Sequence, residues 1–339
     1  MKHTMKSVIS KIFRYILKIT VVLAVLWVVL FALHKWRNSD ITKPPFGYPS
    51  EKFLFAAHYL GFEPLVNLEP DVPPEIKEFK NIVYKEVDSL QLALDIYQPA
   101  GITAPRPAII FVHGGSWNWG HRSDYLVYLI DFAKRGWVTA TVTYRLRKQA
   151  QFPAAVEDVK CAVKWIKNHA AEYKIDPDNI ALVGGSAGAH LVMLTAFTAG
   201  KEYFSTDCGD DTTTTAVKAL VDIYGPVDLT VDYAVSNKNV QKFLGGTYED
   251  IPDVYTAASP QTYLSKNIPP TLILHGSIDK LVPIQQSESL FAQLQMLGVT
   301  VAYYPLSGWP HAMDIAQNPN RYMQYVMTEF FKKTIPVEQ

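Results

Sequence analysis

Ile180-Ala-Leu-Val-Gly-Gly-Ser-Ala-Gly-Ala-His-Leu-Val-Met-Leu194 is an apolar run interrupted by Gly184-Gly185-Ser186-Ala187-Gly188. The residues before the interruption read as a buried strand and those after it as a helix. A strand that turns at once into a helix holds the residue at the corner in a strained backbone conformation. Side chains two positions to either side would collide there, so glycine is required at both. The corner serine is lifted clear of the sheet, and the N-terminal N–H groups of the helix point at the same spot. That order predicts an α/β chain with Ser186 as a nucleophile at the C-terminal end of a central strand.

Three further segments fit around it. Pro107-Ala-Ile-Ile-Phe-Val-His-Gly-Gly-Ser-Trp117 reads as a second buried strand, ending in two glycines. The backbone N–H groups of Gly114 and Gly115, with that of Ala187, are candidates for holding a developing oxyanion. Each such donor is worth about 10²–10³ in rate. Thr271-Leu-Ile-Leu-His-Gly-Ser-Ile-Asp279 is a strand with an acid shortly after its end. Tyr303-Tyr-Pro-Leu-Ser-Gly-Trp-Pro-His311 is a strand followed by a histidine. Of nine histidines only His311 lies beyond Asp279, so in the order serine, acid, histidine the base that goes with Asp279 is chosen by elimination. A serine hydroxyl needs an imidazole to take its proton, and the imidazole needs a carboxylate to fix its tautomer. Asp279 has an alternative role capping the helix expected from 283, and Asp228 in Tyr224-Gly-Pro-Val-Asp228 is a rival acid. Asp279 is preferred because it stands just before the last strand. His113 and His190 read as structural histidines, and Asp158 as an ion-pair partner of Arg145. Trp117, Trp119 and Trp309 flank the catalytic loops, and Trp117 and Trp309 are candidates for the pocket wall, with a place in the core the alternative for such aromatics.

His113-Gly-Gly-Ser-Trp117, Gly184-Gly-Ser-Ala-Gly-Ala-His-Leu191 and His275-Gly-Ser-Ile-Asp-Lys-Leu-Val-Pro283 resemble the esterase/lipase branch of the α/β-hydrolases. That branch holds acetyl- and carboxylesterases, feruloyl-esterase-like enzymes and relatives of hormone-sensitive lipase, and the resemblance covers roughly 80–333. It implies the α/β-hydrolase fold, a mostly parallel sheet with helices on both faces. Ser186, Asp279 and His311 occupy the family's catalytic positions. Ser116 replaces the third glycine of His-Gly-Gly-Gly, and Gly185 replaces the Asp of Gly-Asp-Ser-Ala-Gly, which favours the feruloyl- and acetyl-esterase side. The implied activity is serine carboxylesterase chemistry on small-molecule esters of short to medium chain. Amide or peptide cleavage by the same triad (formamidase-like) and a silent hydrolase fold used for binding are the alternatives. No His-Glu-x-x-His run or phosphate-cradling loop points to a metal or organic cofactor.

The N-terminus bears on location. Residues 19–33 carry no charge, and Ile16-Leu17 extends the run if Lys18 snorkels. A helix over 16–33 reaches about 27 Å, close to the ~30 Å of a bilayer's hydrocarbon core. Lys2, Lys6, Lys11, Arg14 and Lys18 precede the uncharged run 19–33, and only Lys35 and Arg37 follow closely. This asymmetry predicts a cytosolic N-terminus, a single-pass anchor over 1–37 and a catalytic domain on the non-cytosolic side. Secretion after signal-peptide cleavage is the alternative, although no clean small-x-small site follows the run. Residues 38–79 form a Pro-rich linker whose apolar 53–60 either packs on the domain or lies on the membrane face.

The remaining 80–339 suits one catalytic domain. Strands are expected at 82–87, 90–97, 108–113, 138–144, 180–184, 219–224, 271–275 and 301–305. Helices are expected at 124–135, 153–172 and 283–297. The irregular 228–267 is a candidate partial cap. Lys plus Arg and Asp plus Glu balance at 32 each, which gives no reason to expect nucleic acid. The two cysteines, Cys161 and Cys208, permit at most one disulfide, and the sequence leaves their pairing open.

Overall fold

The computed structural model describes residues 2–201, 203–204, 208 and 212–335. Eight strands make one sheet: β1 (Ile76–Val87), β2 (Leu90–Pro99), β3 (Arg106–Val112), β4 (Val138–Val142), β5 (Ile175–Gly185), β6 (Ala219–Ile223), β7 (Thr271–Gly276) and β8 (Val301–Leu306). Their spatial order is β1-β2-β4-β3-β5-β6-β7-β8. The β1/β2 and β2/β4 pairs are antiparallel, and every pair from β4 to β8 is parallel. In β3, Ile110 and Val112 enter one core layer while Ile109 and Phe111 enter the other, all four fully buried. A strand buried on both faces is a continuous apolar run, and it lies mid-sheet between two layers of helices. This is the α/β-hydrolase architecture.

Ten helices accompany the sheet among the described residues: α1 (Lys2–Arg37), α2 (Glu51–Tyr59), α3 (Leu126–Lys134), α4 (Ala154–Asn168), α5 (Ala187–Phe197), α6 (Asp232–Val235), α7 (Lys238–Leu244), α8 (Pro252–Ala257), α9 (Gln285–Met296) and α10 (Gln317–Thr334). Leu191 and Val192 of α5, Val156 and Val159 of α4, and Leu290 and Leu294 of α9 fill one layer. Leu129 and Phe132 of α3 and Met323, Met327 and Phe331 of α10 fill the other. α10, which follows the last strand, lies outside the helices expected from the sequence. Yet the apolar residues of α10 recur every three or four positions, and they cover the face of the sheet shared with α3. Three expected boundaries move by four residues or more, one of them the start of β5, which begins at Ile175. β1 begins at Ile76 and passes two irregularities, and α4 ends at Asn168 because the chain turns there toward β5.

Fastenings outside the sheet set how the pieces sit. Asp158 on α4 is fully buried and accepts hydrogen bonds from the Arg145 backbone N–H (2.9 Å), Arg145 Nε (2.7 Å) and Lys85 Nζ (3.0 Å). A buried carboxylate is tolerated only when satisfied in this way, so α4, the loop after β4 and β1 move as one. Cys161 of α4 and Cys208, which follows α5, form a disulfide across a sequence separation of 47, so the closed loop contains β5 and α5. Such a bond persists in oxidising compartments and is rare in the cytosol.

α1 contains one segment, Ser10–Arg37, long and apolar enough to cross a membrane, and none of it is buried. Membrane anchors and signal sequences share that description. Leu54 and Ala57 of α2 pack against the core, while no residue of α2 is fully buried. The insert at 228–267 folds into α6, α7 and α8 beside the C-terminal ends of the strands.

Candidate active site

Ser186 sits between β5 and α5 with φ 55° and ψ −121°, a conformation that costs a non-glycine residue on the order of 1–3 kcal/mol. The turn is overdetermined. The Ser186 N–H donates to the Ile223 carbonyl of β6 at 2.8 Å. A Cβ on Gly184 would run into the backbone of Gly188, and a Cβ on Gly188 into the Val112 carbonyl of β3. The two glycines allow β5, α5 and β3 to approach this closely, and the corner residue must take the strain.

The serine hydroxyl meets a hydrogen-bonded chain. Ser186 Oγ lies 2.9 Å from His311 Nε2, and His311 Nδ1 lies 2.5 Å from Asp279 Oδ2. Asp279 is itself held. Its Oδ1 accepts from the N–H groups of Leu281 (2.8 Å) and Val282 (3.0 Å), and its Oδ2 is 3.2 Å from His275 Nε2. Burial pushes the Asp279 carboxyl upward. The hydrogen bonds from His275 and His311 and the attraction of His311 outweigh that and hold it well below the usual carboxylate range. The group is therefore an ion wherever the domain is folded at ordinary pH. His275 is buried, donates from Nε2 to the Val282 carbonyl (2.9 Å) and accepts from the Ser287 hydroxyl at Nδ1 (2.7 Å). Its supporting role was not part of the sequence reading, and the signal lay four positions before Asp279. The Tyr224 ring, 4.5 Å from the His311 ring, backs the imidazole, and the Tyr224 hydroxyl donates to buried Asp314.

Asp228 lies elsewhere. Its Oδ1 accepts from the Thr230 N–H (2.8 Å) and hydroxyl (2.7 Å), which makes it the cap of its own turn. Among the described residues it joins no histidine.

Gly114 lies against the serine turn, with the position of a Cβ there 3.3 Å from Ser186 Cβ. Gly115, Ser116 and Trp117 all have positive φ (99°, 52° and 54°), and the Asn118 and Trp119 N–H groups close the turn onto the Gly115 carbonyl. His113 stacks on Tyr144 at 4.4 Å. Its Nδ1–H and the Tyr144 hydroxyl both donate to the Gly114 carbonyl, which fixes the loop from behind. His190 donates to the Ala258 carbonyl at 2.7 Å, and burial lowers its pKa to about 4. It is a neutral pin between α5 and the insert.

A cleft of about 60 Å³ opens at Ser186, lined by Trp117, Ala187, Tyr233, Val240, Leu281 and His311 among others. Trp117 borders it and stacks flat on Phe243 of α7 at 4.4 Å. Trp309 does not reach the cleft, contrary to expectation. Its side chain is fully buried behind the catalytic loops, edge-on to Tyr48 at 5.5 Å. Its backbone carbonyl faces the Ile278 N–H, so the ring turns into the core. Trp119 is largely exposed. Tyr233, Asn237 and Asn239 of the insert border the cleft and had no distinctive sequence signal.

A sequence profile described as BD-FAE matches residues 94–294, well over half of the chain. The chain belongs to the BD-FAE family. This is an esterase/feruloyl-esterase-like group of α/β-hydrolases. The match takes in Ser186 and Asp279 and stops short of His311. The BD-FAE chain is 34% identical over 232 residues to Esterase LipQ of Mycobacterium tuberculosis, covering 66% of this chain and 54% of that protein. It is 26% identical over 284 residues to a probable isoprenylcysteine alpha-carbonyl methylesterase of Arabidopsis thaliana, covering 79% and 56%. The chain thus spans little more than half the length of these curated relatives. Among solved structures it resembles apo esterase 2 of Thermogutta terrifontis, with TM-score 0.67 and 25% identity over 80% of this chain and all of that one. That esterase has also been solved with propionate bound and phosphonylated by cyclosarin.

A buried carboxylate of the BD-FAE domain close to the site should govern its stability. Burial pushes the Asp222 carboxyl at the end of β6 up to about 7, opposed only in part by the Gly225 N–H and by His275. The folded protein then keeps a proton that the unfolded chain, with its ordinary value of 3.8, releases. The Asp222 contribution to stability should therefore fall as pH rises from about 4 to about 7 and level off above, while neutral His190 contributes a rise between about 4 and 6.5. Asp222→Asn should remove the Asp222 contribution alone, so that from about pH 4.5 to about pH 7.5 the urea midpoint of the variant shifts upward relative to the parent's. Equal slopes in parent and variant would sink the assignment.

Proposed function

We propose that this chain is a serine carboxylesterase that hydrolyses short- to medium-chain esters through an acyl-enzyme and is held at a membrane by α1. The observation that carries the reading is the unbroken hydrogen-bonded series Ser186, His311, Asp279 at the strained turn. Ser186 Oγ attacks the ester carbonyl carbon while its proton passes to His311 Nε2. The carbonyl oxygen becomes an oxyanion, held by the N–H groups of Gly114, Gly115 and Ala187. Collapse of that intermediate breaks the bond to the alcohol, which leaves with the proton from His311. Water then attacks acyl-Ser186 with His311 again as base, and the acid departs. Asp279 keeps Nδ1 protonated throughout, so that Nε2 is free to accept.

A fluorophosphonate probe tests the reading, in line with the phosphonylation of the Thermogutta esterase. Stoichiometric labelling of Ser186 is expected, with loss of esterase activity. Labelling elsewhere, or none in folded protein, would refute it.

The size of the cleft sets the acyl preference. A cleft of about 60 Å³ walled by Trp117 and Val240 favours a small acyl group over a long chain. On p-nitrophenyl esters, kcat/KM should be highest between acetyl and roughly hexanoyl. Each methylene that fits contributes at most about 0.8 kcal/mol. A sixteen-carbon optimum would overturn this. Amides should be turned over far more slowly than esters.

α1 and the disulfide support the location. Five basic residues precede the apolar run and two follow it closely, and Cys161–Cys208 suits an oxidising compartment. The chain should stay with carbonate-washed membranes, and its catalytic domain should be digested by protease added on the non-cytosolic side. A shortened enzyme in the soluble fraction would mean cleavage, and protection of the domain would reverse the orientation.

A further inference from the structure

α2 is too apolar on the outside for a helix facing water. Phe53 is 61% exposed, Phe55 69%, Tyr59 91% and Leu60, just past its end, 52%. With Leu54 and Ala57 turned to the core, these four rings and chains and Ala56 make up most of the outward surface, relieved by Lys52 and His58. An apolar face of this kind needs an occupant.

The neighbouring contacts identify one. Phe62, two residues beyond Leu60, packs edge-on against Trp27 (5.8 Å) and Phe31 (5.7 Å) of α1. Both rings lie inside the uncharged run that ends at Leu33, and at 1.5 Å per residue Trp27 is about 9 Å below that end. The end of α2 is therefore held at the depth where interfacial helices sit, about 5–10 Å into the headgroup and acyl boundary. An apolar hollow of about 320 Å³ separates α1 from the domain, lined by Leu30, Leu33, Phe46 and Phe62 with Arg37 at its rim. Acyl chains suit such a surface and Arg37 suits a phosphate. His34, 3.6 Å from buried Glu63, and the Asn318 N–H and amide on the same carboxylate fix the end of α1 to the domain.

The catalytic cleft lies at the other end of the same helix. Glu51, the first residue of α2, pairs with Lys280 at 3.4 Å. Lys280 follows Asp279, and Leu281, 63% exposed, lines the cleft. α2 is only nine residues long, about 13 Å, so the mouth of the cleft stands within a short helix of the bilayer.

We propose that α2 is a membrane-docking helix whose outward face sits in the lipid surface beside α1, so that the cleft takes esters dissolved in that membrane, with a short acyl group on a lipophilic alcohol. This rests on α1 spanning the bilayer and on Ser186 acting as an esterase, and the test separates all three. Both native cysteines are bonded to each other, so an introduced cysteine is the one thiol available for an environment-sensitive fluorophore. The full chain is placed in phosphatidylcholine/phosphatidylglycerol vesicles, with the probe at Val22→Cys in α1, at Tyr59→Cys in α2, or at the exposed Asp253→Cys in α8. Nitroxide-labelled lipids should quench the probes at 22 and 59 and leave that at 253, and aqueous iodide should do the reverse. Quenching at 22 without 59 overturns the docking while the anchor stands. Loss at both positions removes the anchor and the docking together. A probe at 59 shielded from both quenchers means that protein covers α2, and overturns the proposal as well.

For the substrate, Phe55→Glu with Tyr59→Glu should lower hydrolysis of hexadecyl acetate in the vesicles by about tenfold. Hydrolysis of water-soluble p-nitrophenyl acetate should stay within about twofold, since neither residue lines the cleft. An equal effect on both esters, or on neither, overturns the substrate class. A parent chain inactive on p-nitrophenyl acetate would place the failure in the esterase reading.

Discussion

Ser186→Ala is expected to lower kcat by on the order of 10⁶, with the purified variant still folded. The hydroxyl is the atom that would bond the acyl carbon, so no neighbouring group replaces it. What remains is whatever the Gly114, Gly115 and Ala187 N–H groups and the cleft contribute to an attack by water, about 10³–10⁴ over solution. The turn itself does not depend on the hydroxyl. The Ser186 N–H bond to Ile223 and the close approaches at Gly184 and Gly188 involve backbone only. Ser186→Gly should be equally inactive yet more stable by on the order of 1 kcal/mol, because glycine adopts a φ of 55° without strain. Turnover assays with thermal melts of both variants check this. Near-native turnover in Ser186→Ala, or abolition by Ser116→Ala instead, would remove Ser186 from its role.

Asp279→Asn is expected to cost up to about 10⁴ in kcat, for a reason legible in the hydrogen bonds. One carboxylate oxygen accepts from the Leu281 and Val282 N–H groups and the other from His311. An amide has one acceptor oxygen. If that oxygen stays on the two backbone N–H groups, the new NH₂ faces His311 Nδ1 and forces it to accept. The ring proton then moves to Nε2, which can no longer take the proton of Ser186. Asp228→Asn keeps an acceptor for Thr230 and should leave turnover within about threefold. Parallel kinetics of the two variants decide between the acids, and a large loss at Asp228 with a small one at Asp279 would reverse the choice.

The difference between what could be read in the chain and what could not follows from the range of the forces. The serine turn and the glycine pair at 114–115 are short-range constraints: a strand, a forbidden Cβ and a helix within a dozen residues. The alternation of buried strands is likewise local, so the parallel sheet and most of its helices were legible. Trp309 was not. A tryptophan beside a catalytic loop can turn to the cleft or to the core, and its burial against Tyr48 brings together positions 261 residues apart. The Cys161–Cys208 bond and the clasp of Asp158 by Lys85 are long-range in the same sense. α10 carried a readable period, but a helix following the last strand has no catalytic word to draw attention to it. His275 shows the opposite case, a residue in plain view whose task appears only when its ring is seen beside the Asp279 oxygen that also meets His311.

Trp117 belongs to the tight turn after β3, and Phe243 to the insert that borders the cleft; the two rings lie nearly parallel, 7° apart. Specificity and rate are therefore not separate modules in this protein. Grafting a different insert, the usual way to retune such a scaffold, would remove the ring on which the strained loop rests. Variation in acyl preference among natural or engineered descendants should accordingly arise by small steps at Tyr233, Asn237 or Val240, which border the cleft without holding that stack. Wholesale exchange of the insert should succeed only when position 117 changes with it.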